Sequence, residues 1–483
     1  MDTLNHFLEI CYDHSPTLRV CRSWEAMTLD AFLELQAEKV AGNQRITPLL
    51  DPEDFYTQAE AVAAARLQPD IAAQAVRGIR TGVLCTADHH GGIFCAQTFQ
   101  TDLLFGDLLR RLGYRENVLP IAPGAQVELD SSTYARGILN YASPDHLVRM
   151  PIFPDRPALQ ACCAPPINAA WLRRFRGRFL TRKWLNKVDR AVNAFITEVY
   201  ESEPVLASRR FDDQVTRIGA GLSRELFGET GPILTYLDLE SMILPLLIRE
   251  LSEGNTLLAA LLWDERLRAG VVRTPLPGGG HLADFFFRGV DEKGRKYRLT
   301  LNEDNLLTGT DWRGVSYAIP ADAESICPLL AQRRLMPGIL TMALATFFER
   351  GISWLGGVFQ TIYLPEYQQG LVSVLKQRGM DREAAVIGGY DCTGYICGPM
   401  YALYQGSGYT TSAGPVELRI SRPSYGQLME IMRRTRLGDA HRMGLHIMYS
   451  DLVNVGAREE NWYRRIAEAL NDRYPENVIA YGP

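Results

Sequence analysis

Long apolar runs are what this 483-residue chain most plainly lacks. A membrane-spanning helix needs about 18–20 consecutive apolar residues. The richest run, Ile243-Leu244-Pro245-Leu246-Leu247-Ile248, is bounded by Glu240 and by Arg249-Glu250, so no helical span is expected. Positive charge is not in excess either. With 51 Lys and Arg against 56 Asp and Glu, the net charge of −5 does not suit a protein devoted to coating nucleic acid, although a local basic surface remains open. The first residues, MDTLNHFLEICYDHS, are acidic where a secretory leader is positive, so the expected compartment is the cytoplasm.

Paired cysteine motifs are missing as well. The nine cysteines include no CxxC, and Cys392 and Cys397 have no second pair to complete a zinc site. An odd, scattered set reads as reduced thiols packed as small apolar residues. Phosphate-binding fingerprints are absent too. There is no Gly/Lys/Ser P-loop and no Gly-rich turn opening a helix after a first strand, so ATP and NAD have no support. Pro277-Gly278-Gly279-Gly280 reads as a linker, and no repeat of solenoid period is found. No resident cofactor is expected.

What is present is ordinary globular composition, 46% hydrophobic and 22% charged, over a length that suggests two or three domains. Residues 1–80 read as helical from their Ala, Leu, Glu and Gln content. From residue 81 the period changes. An apolar run at 83–85, a helical pattern at 99–112 and strands at 117–121 and 125–129 describe a βαβ unit and a parallel sheet. Residues 131–167 are rich in proline, and 168–272 are mostly helix. After the linker, turn-forming residues 290–294 sit between two strand-like runs, followed by a helix at 338–350, a strand at 352–360, a helix near 366–378 and a further strand at 384–389. The expected fold class is α/β, with mixed α+β as the variant. Its parts are residues 1–167 (α/β), 168–274 (mainly helical) and 281–483 (mixed α/β).

The chain is organised around TGVLCTADHHGG, residues 81–92. Here a short buried strand runs into Asp88, His89 and His90 and then two glycines. Ligands of parallel sheets bind beyond the carboxyl ends of strands, which is where these side chains fall. A histidine near its ordinary pKa of ~6.5 takes and returns a proton at neutral pH, and a carboxylate beside it fixes its tautomer. The HHxxxDG pattern of acyltransferases fails, because the distal Asp-Gly is missing. The DHH phosphoesterase pattern fails for want of an upstream DxD. A structural role, with histidines bonded to backbone at a strand end, competes equally with a catalytic one.

Ser131, Tyr134 and Arg136 come after the second strand and suit recognition of a carboxylate or phosphate, unless they only start a helix. Residues 171–190, WLRRFRGRFLTRKWLNKVDR, set Trp171, Phe175 and Phe179 on one helical face and Arg174, Arg178 and Arg182 among the cations on the others. Such a helix either holds a phosphate-rich donor or is a docked helix with a solvated back. Gln360 and Asp391 come just after glycine pairs that let backbone approach a ligand.

The expectation is a group-transfer enzyme, moving an acyl or aminoacyl group to a small nucleophile. His89 or His90 is the general base and Asp88 its orienter. Arg136, Ser131, Tyr134, Gln360 and Asp391 hold substrate, and the basic helix holds coenzyme A or aminoacyl-tRNA. One rival is a hydrolase with a divalent metal on Asp88, His89 and His90. The other is a non-catalytic RNA- or phosphate-binding protein.

Overall fold

The computed structural model describes residues 2–89, 95–129, 137–140, 148–154, 158–180, 186–229, 231–406, 409–471 and 473–479. Helix outweighs strand, 58% against 14%, in a mixed α/β fold. No helix among the described residues is long and apolar enough to cross a membrane.

Five short parallel strands position the candidate site: β1 (Val83–Cys85), β2 (Val118–Ile121), β3 (Ile233–Tyr236), β4 (Ser353–Gly357) and β5 (Tyr395–Cys397). β1 pairs with β4 in the register Val83↔Ser353, and β4 pairs with β5 across a register shift at Gly356/Gly357. β2 pairs with β3 from Val118↔Ile233 to Ile121↔Tyr236. One bond, Ala122 N–H to the Cys85 carbonyl at 3.0 Å, joins the two ladders beside the carboxyl ends of β1 and β2. The spatial order is therefore β3-β2-β1-β4-β5. Both faces are covered, which is why β1 and β2 are buried at every residue instead of alternating.

Helices on the two faces have recognisable causes. α1 (Ala96–Arg111) crosses from β1 to β2 and is buried from Ala96 through Leu109. Gly106 lets it approach the sheet, since a Cβ there would lie 2.6 Å from Leu119. α2 (Phe211–Phe227) lies against β3, and Ser223 Oγ accepts the Leu234 N–H at 2.9 Å. α3 (Leu239–Glu253) starts at an Asp238 cap, whose Oδ2 accepts the Ser241 N–H at 2.9 Å, and ends at left-handed Gly254. Buried apolar side chains run as one connected set from Leu4 to Ile479.

The hairpin expected around residues 290–294 is present, with Phe287–Val290 pairing antiparallel to Lys296–Arg298. Asp291 Oδ1 closes its turn by accepting the N–H groups of Lys293 and Arg295. Two strand expectations are corrected. Residues 384–389 belong to a helix, Asp381–Gly389, whose first turn carries Asp381 and Glu383 where the helix dipole favours acid. Residues 125–129 form an isolated antiparallel bridge, Glu128 to Gln160, and no strand of the parallel sheet; the N–H groups of Ala125 and Gln126 are taken by the Glu240 carboxylate, both at 2.8 Å. β3 was not expected at all within a stretch read as helix.

Candidate active site

The site is assembled from the segments that leave the carboxyl ends of β1, β2 and β3. After Cys85 the chain is held once more by the sheet, through Thr86 N–H to the Leu355 carbonyl at 3.2 Å. It then turns at Ala87, whose carbonyl accepts the His89 N–H at 3.1 Å. Because the strand ends there, Asp88 and His89 go to different partners.

His89 Nδ1 lies 3.0 Å from the Gly124 carbonyl oxygen. A carbonyl only accepts, so Nδ1 carries the proton and Nε2 is the basic atom. Gly124 is itself fixed through its neighbours, whose N–H groups reach Glu240 from the first turn of α3. Burial dominates the ring's proton affinity and pulls its pKa down to about 4, and Lys296 adds to this. The imidazole is neutral at pH 7. A narrow cavity beside it is lined by His89, Pro123, Ala161, Phe211, Tyr236 and Asp238, among others.

Asp88 interacts with Asp102 in the second turn of α1 and with Tyr236 at the end of β3, a residue that also lines the cavity beside His89. Tyr236 Oη donates to Asp102 Oδ2 at 2.6 Å and also bonds Asp88. Both carboxyl groups are buried. Burial first, and the Asp88 charge second, push the Asp102 carboxyl well above the ordinary range, since two such groups cannot both ionise in a dry site. Asp102 Oδ1 has no hydrogen-bond partner among the described residues. Burial therefore favours the protonated form of Asp102 and the neutral form of His89.

The cavity wall is held by ion pairs. Arg66 reaches Asp238 at 2.6 Å and Asp213 at 2.8 Å, and Arg333 reaches Asp212 at 3.2 Å. These cations hold the Asp238 carboxyl well below its usual range against the cost of its burial. Glu240 has no such partner among the described residues and is raised by burial, and next by the Asp238 charge, to about 8.

The remaining residues singled out from sequence are scattered. His90, Ser131, Tyr134, Arg136 and Arg182 lie outside the described residues. Gln360 is buried behind β1 and β4, accepting from Thr86 Oγ1 at 3.0 Å and donating to the Trp354 carbonyl at 3.2 Å. Asp391 precedes β5 and therefore sits at the amino-terminal edge of the sheet, opposite His89. It pairs there with Lys39 at 3.6 Å and accepts from Thr393. Arg174 and Arg178 are exposed on the helix Ala169–Phe179, which docks through Leu172, Phe175 and Phe179. Cys85 and Cys95, which flank the histidines, are buried thiols, and burial raises Cys95 to about 12. Among the described residues no three His, Cys, Asp or Glu side chains are grouped as a metal ion requires.

Asp102, Tyr236 and Glu240 were not selected from sequence. The signal for Asp102 was QTFQTD at 97–102, a polar stretch inside a helix that crosses from one buried strand to the next.

A scan against protein-family models finds no match to this chain, and a search of curated proteins finds none either.

Proposed function

We propose that this chain is a group-transfer enzyme using general acid–base catalysis, moving an acyl or aminoacyl group to a small nucleophile. His89 Nε2 takes the proton of the attacking amine or hydroxyl as that group's lone pair adds to the acyl carbon. The proton shared by Asp88 and Asp102 goes to the departing thiol or hydroxyl, with Asp88, next to His89 in the chain, as the delivering group. Tyr236 keeps the two carboxyl groups together. The supporting observation is a histidine held through Nδ1 by the Gly124 carbonyl, adjacent in the chain to a buried Asp88 that shares Tyr236 with Asp102, with burial lowering the proton affinity of His89 and raising that of Asp102, as a base and an acid require. Arg136, Ser131 and Tyr134 recognise the acceptor in this reading. Arg174, Arg178 and Arg182 hold the phosphates of coenzyme A or aminoacyl-tRNA.

The test supplies acyl-coenzyme A and aminoacyl-tRNA donors with a panel of small amines and alcohols, following donor consumption and product mass. Turnover by the wild-type protein, lowered by ~10²–10⁴-fold in His89→Gln, is the expected result. Donor consumption at the blank rate, or an unimpaired His89→Gln, overturns the reading. Stoichiometric zinc, manganese or iron in the purified protein would instead favour a hydrolase with Asp88, His89 and His90 as ligands.

A non-catalytic reading, binding of RNA or another polyphosphate, is favoured by one observation. Arg173 and Arg174 are exposed and make no ion pair among the described residues. Its mark is steep salt dependence, lost on charge reversal at Arg174 and Arg178 with His89 intact.

A further inference from the structure

The sulfur atoms of Cys162 and Cys163, adjacent in the chain, lie 3.8 Å apart in the short turn Ala161–Cys163. Cys162 is buried and Cys163 is half-buried, so Cys163 is the more accessible of the two. The turn is held on both sides of Cys162. Its N–H donates to the Ala125 carbonyl at 2.9 Å, and its carbonyl accepts from Arg333 Nη1 at 3.0 Å. The Cys162 thiol also donates to Gln160 Oε1 at 3.4 Å.

From this arrangement we infer that Cys162 and Cys163 are a redox-active vicinal dithiol, a modification site that reacts with small disulfides and closes to a bond between neighbouring residues. The Cys163 thiolate attacks one sulfur of a disulfide RSSR, forming Cys163–S–S–R and releasing RS⁻. Cys162 then gives up its proton, and its sulfur attacks Cys163 Sγ and expels the second RS⁻. Two protein thiols are oxidised and RSSR is reduced to two RSH.

The order of attack is set by access, and also by the burial that raises Cys162. Closure is short, from 3.8 Å to the ~2.05 Å of a covalent S–S bond. It is also reversible. Neighbouring Cα atoms are ~3.8 Å apart, below the ~4.4–6.8 Å that unstrained disulfides span, and strained disulfides are the readily reduced ones. Cys162 is bonded through its N–H to Ala125, next to the Gly124 carbonyl that holds His89, and Ala161 lines the same cavity. The redox state of the turn therefore reaches the candidate site.

The full-length protein is incubated with oxidised glutathione, quenched with iodoacetamide, digested with trypsin and analysed by mass spectrometry at the peptide spanning 150–173. The expected wild-type product has lost two hydrogens and carries no alkyl label at either cysteine, and dithiothreitol restores both labels. Cys162→Ser stops at a glutathione adduct on Cys163. Cys163→Ser reacts far more slowly, because only the buried sulfur remains. A wild-type protein that accumulates a stable adduct on Cys163, or that keeps both cysteines alkylatable throughout, overturns the inference.

Discussion

His89 and Asp102 differ in how visible they are before folding, and the difference is chemical. A histidine after a short apolar strand is conspicuous, because it is the only side chain whose ordinary pKa lies near 7 and it stands where parallel sheets place ligands. Asp102 acquires its character only when α1 folds against β1 and sets its carboxyl beside Asp88 and Tyr236. Nothing in the letters QTFQTD announces that neighbour. The folded values give two expectations. The acid limb of kcat/KM should fall near pH 4, the proton affinity of the buried His89 ring, and not near 6.5. A limb at 6.5 would mean that a different, exposed base carries the reaction. Asp102→Asn keeps the shape and Tyr236's neighbour but removes the acidic proton. It should lower turnover by ~10²-fold or more and erase the alkaline limb, while His89's acid limb stays in place. A uniform loss of folded protein with an unchanged profile would make Asp102 structural only.

Among elements, α2 and β3 show where sequence pattern runs out. The helix was legible from its apolar spacing, yet the four residues 233–236 sit between two helices. A short apolar run cannot be told from buried helix by periodicity. What makes it a strand is tertiary. β2 offers a free edge, Ser223 captures the Leu234 N–H, and Thr216 Oγ1 donates to the Tyr236 carbonyl at 2.5 Å. Gly219 allows this fit, since a Cβ there would lie 2.4 Å from two carbons of the Tyr236 ring. Gly219→Ala should therefore cost about 1–3 kcal/mol in chemical denaturation. It should also weaken the Tyr236–Asp102 bond, reducing turnover in the surviving folded protein. Gly42, in the exposed part of the helix Leu29–Asn43, is the control: a Cβ there meets nothing within 4 Å. Gly42→Ala should stabilise by ~0.4–1 kcal/mol with turnover unchanged. Equal effects of the two alanines would show that the Gly219 contact does not matter.

At the scale of the molecule, sequence-local reasoning meets its limit in the sheet. β1 pairs with a strand some 270 residues away, and the five strands come from all three stretches into which composition divides the chain. Such pairing buries titratable groups far from one another in sequence, and together they set the pH dependence of stability. His89, His441 and His446 are pulled by burial to about 4, 3 and 4. The unfolded chain then binds more protons below pH 6.5, so their contribution is lost as pH falls toward 4. Glu240, Glu349 and Glu417 are raised to about 8, 8 and 7, also by burial first. The folded state binds more protons between 4.5 and those values, so their contribution is lost as pH rises. Between 4.5 and 6.5 the two sets oppose each other. From 6.5 to 8 only the acids act, joined by Asp102, which is shifted the same way. Below 4.5 the loss of depressed carboxylates such as Asp54 and Asp238 joins that of the histidines. Stability should therefore peak in weak acid and decline from pH 6.5 to 8, as read by the denaturant midpoint at each pH. Glu349→Gln should flatten that decline, since the amide cannot ionise and the side chain can still accept the Leu258 N–H. A wild-type midpoint that rises from pH 6.5 to 8, or a Glu349→Gln variant with the wild-type slope, would mean that these carboxyl groups reach water before the protein unfolds.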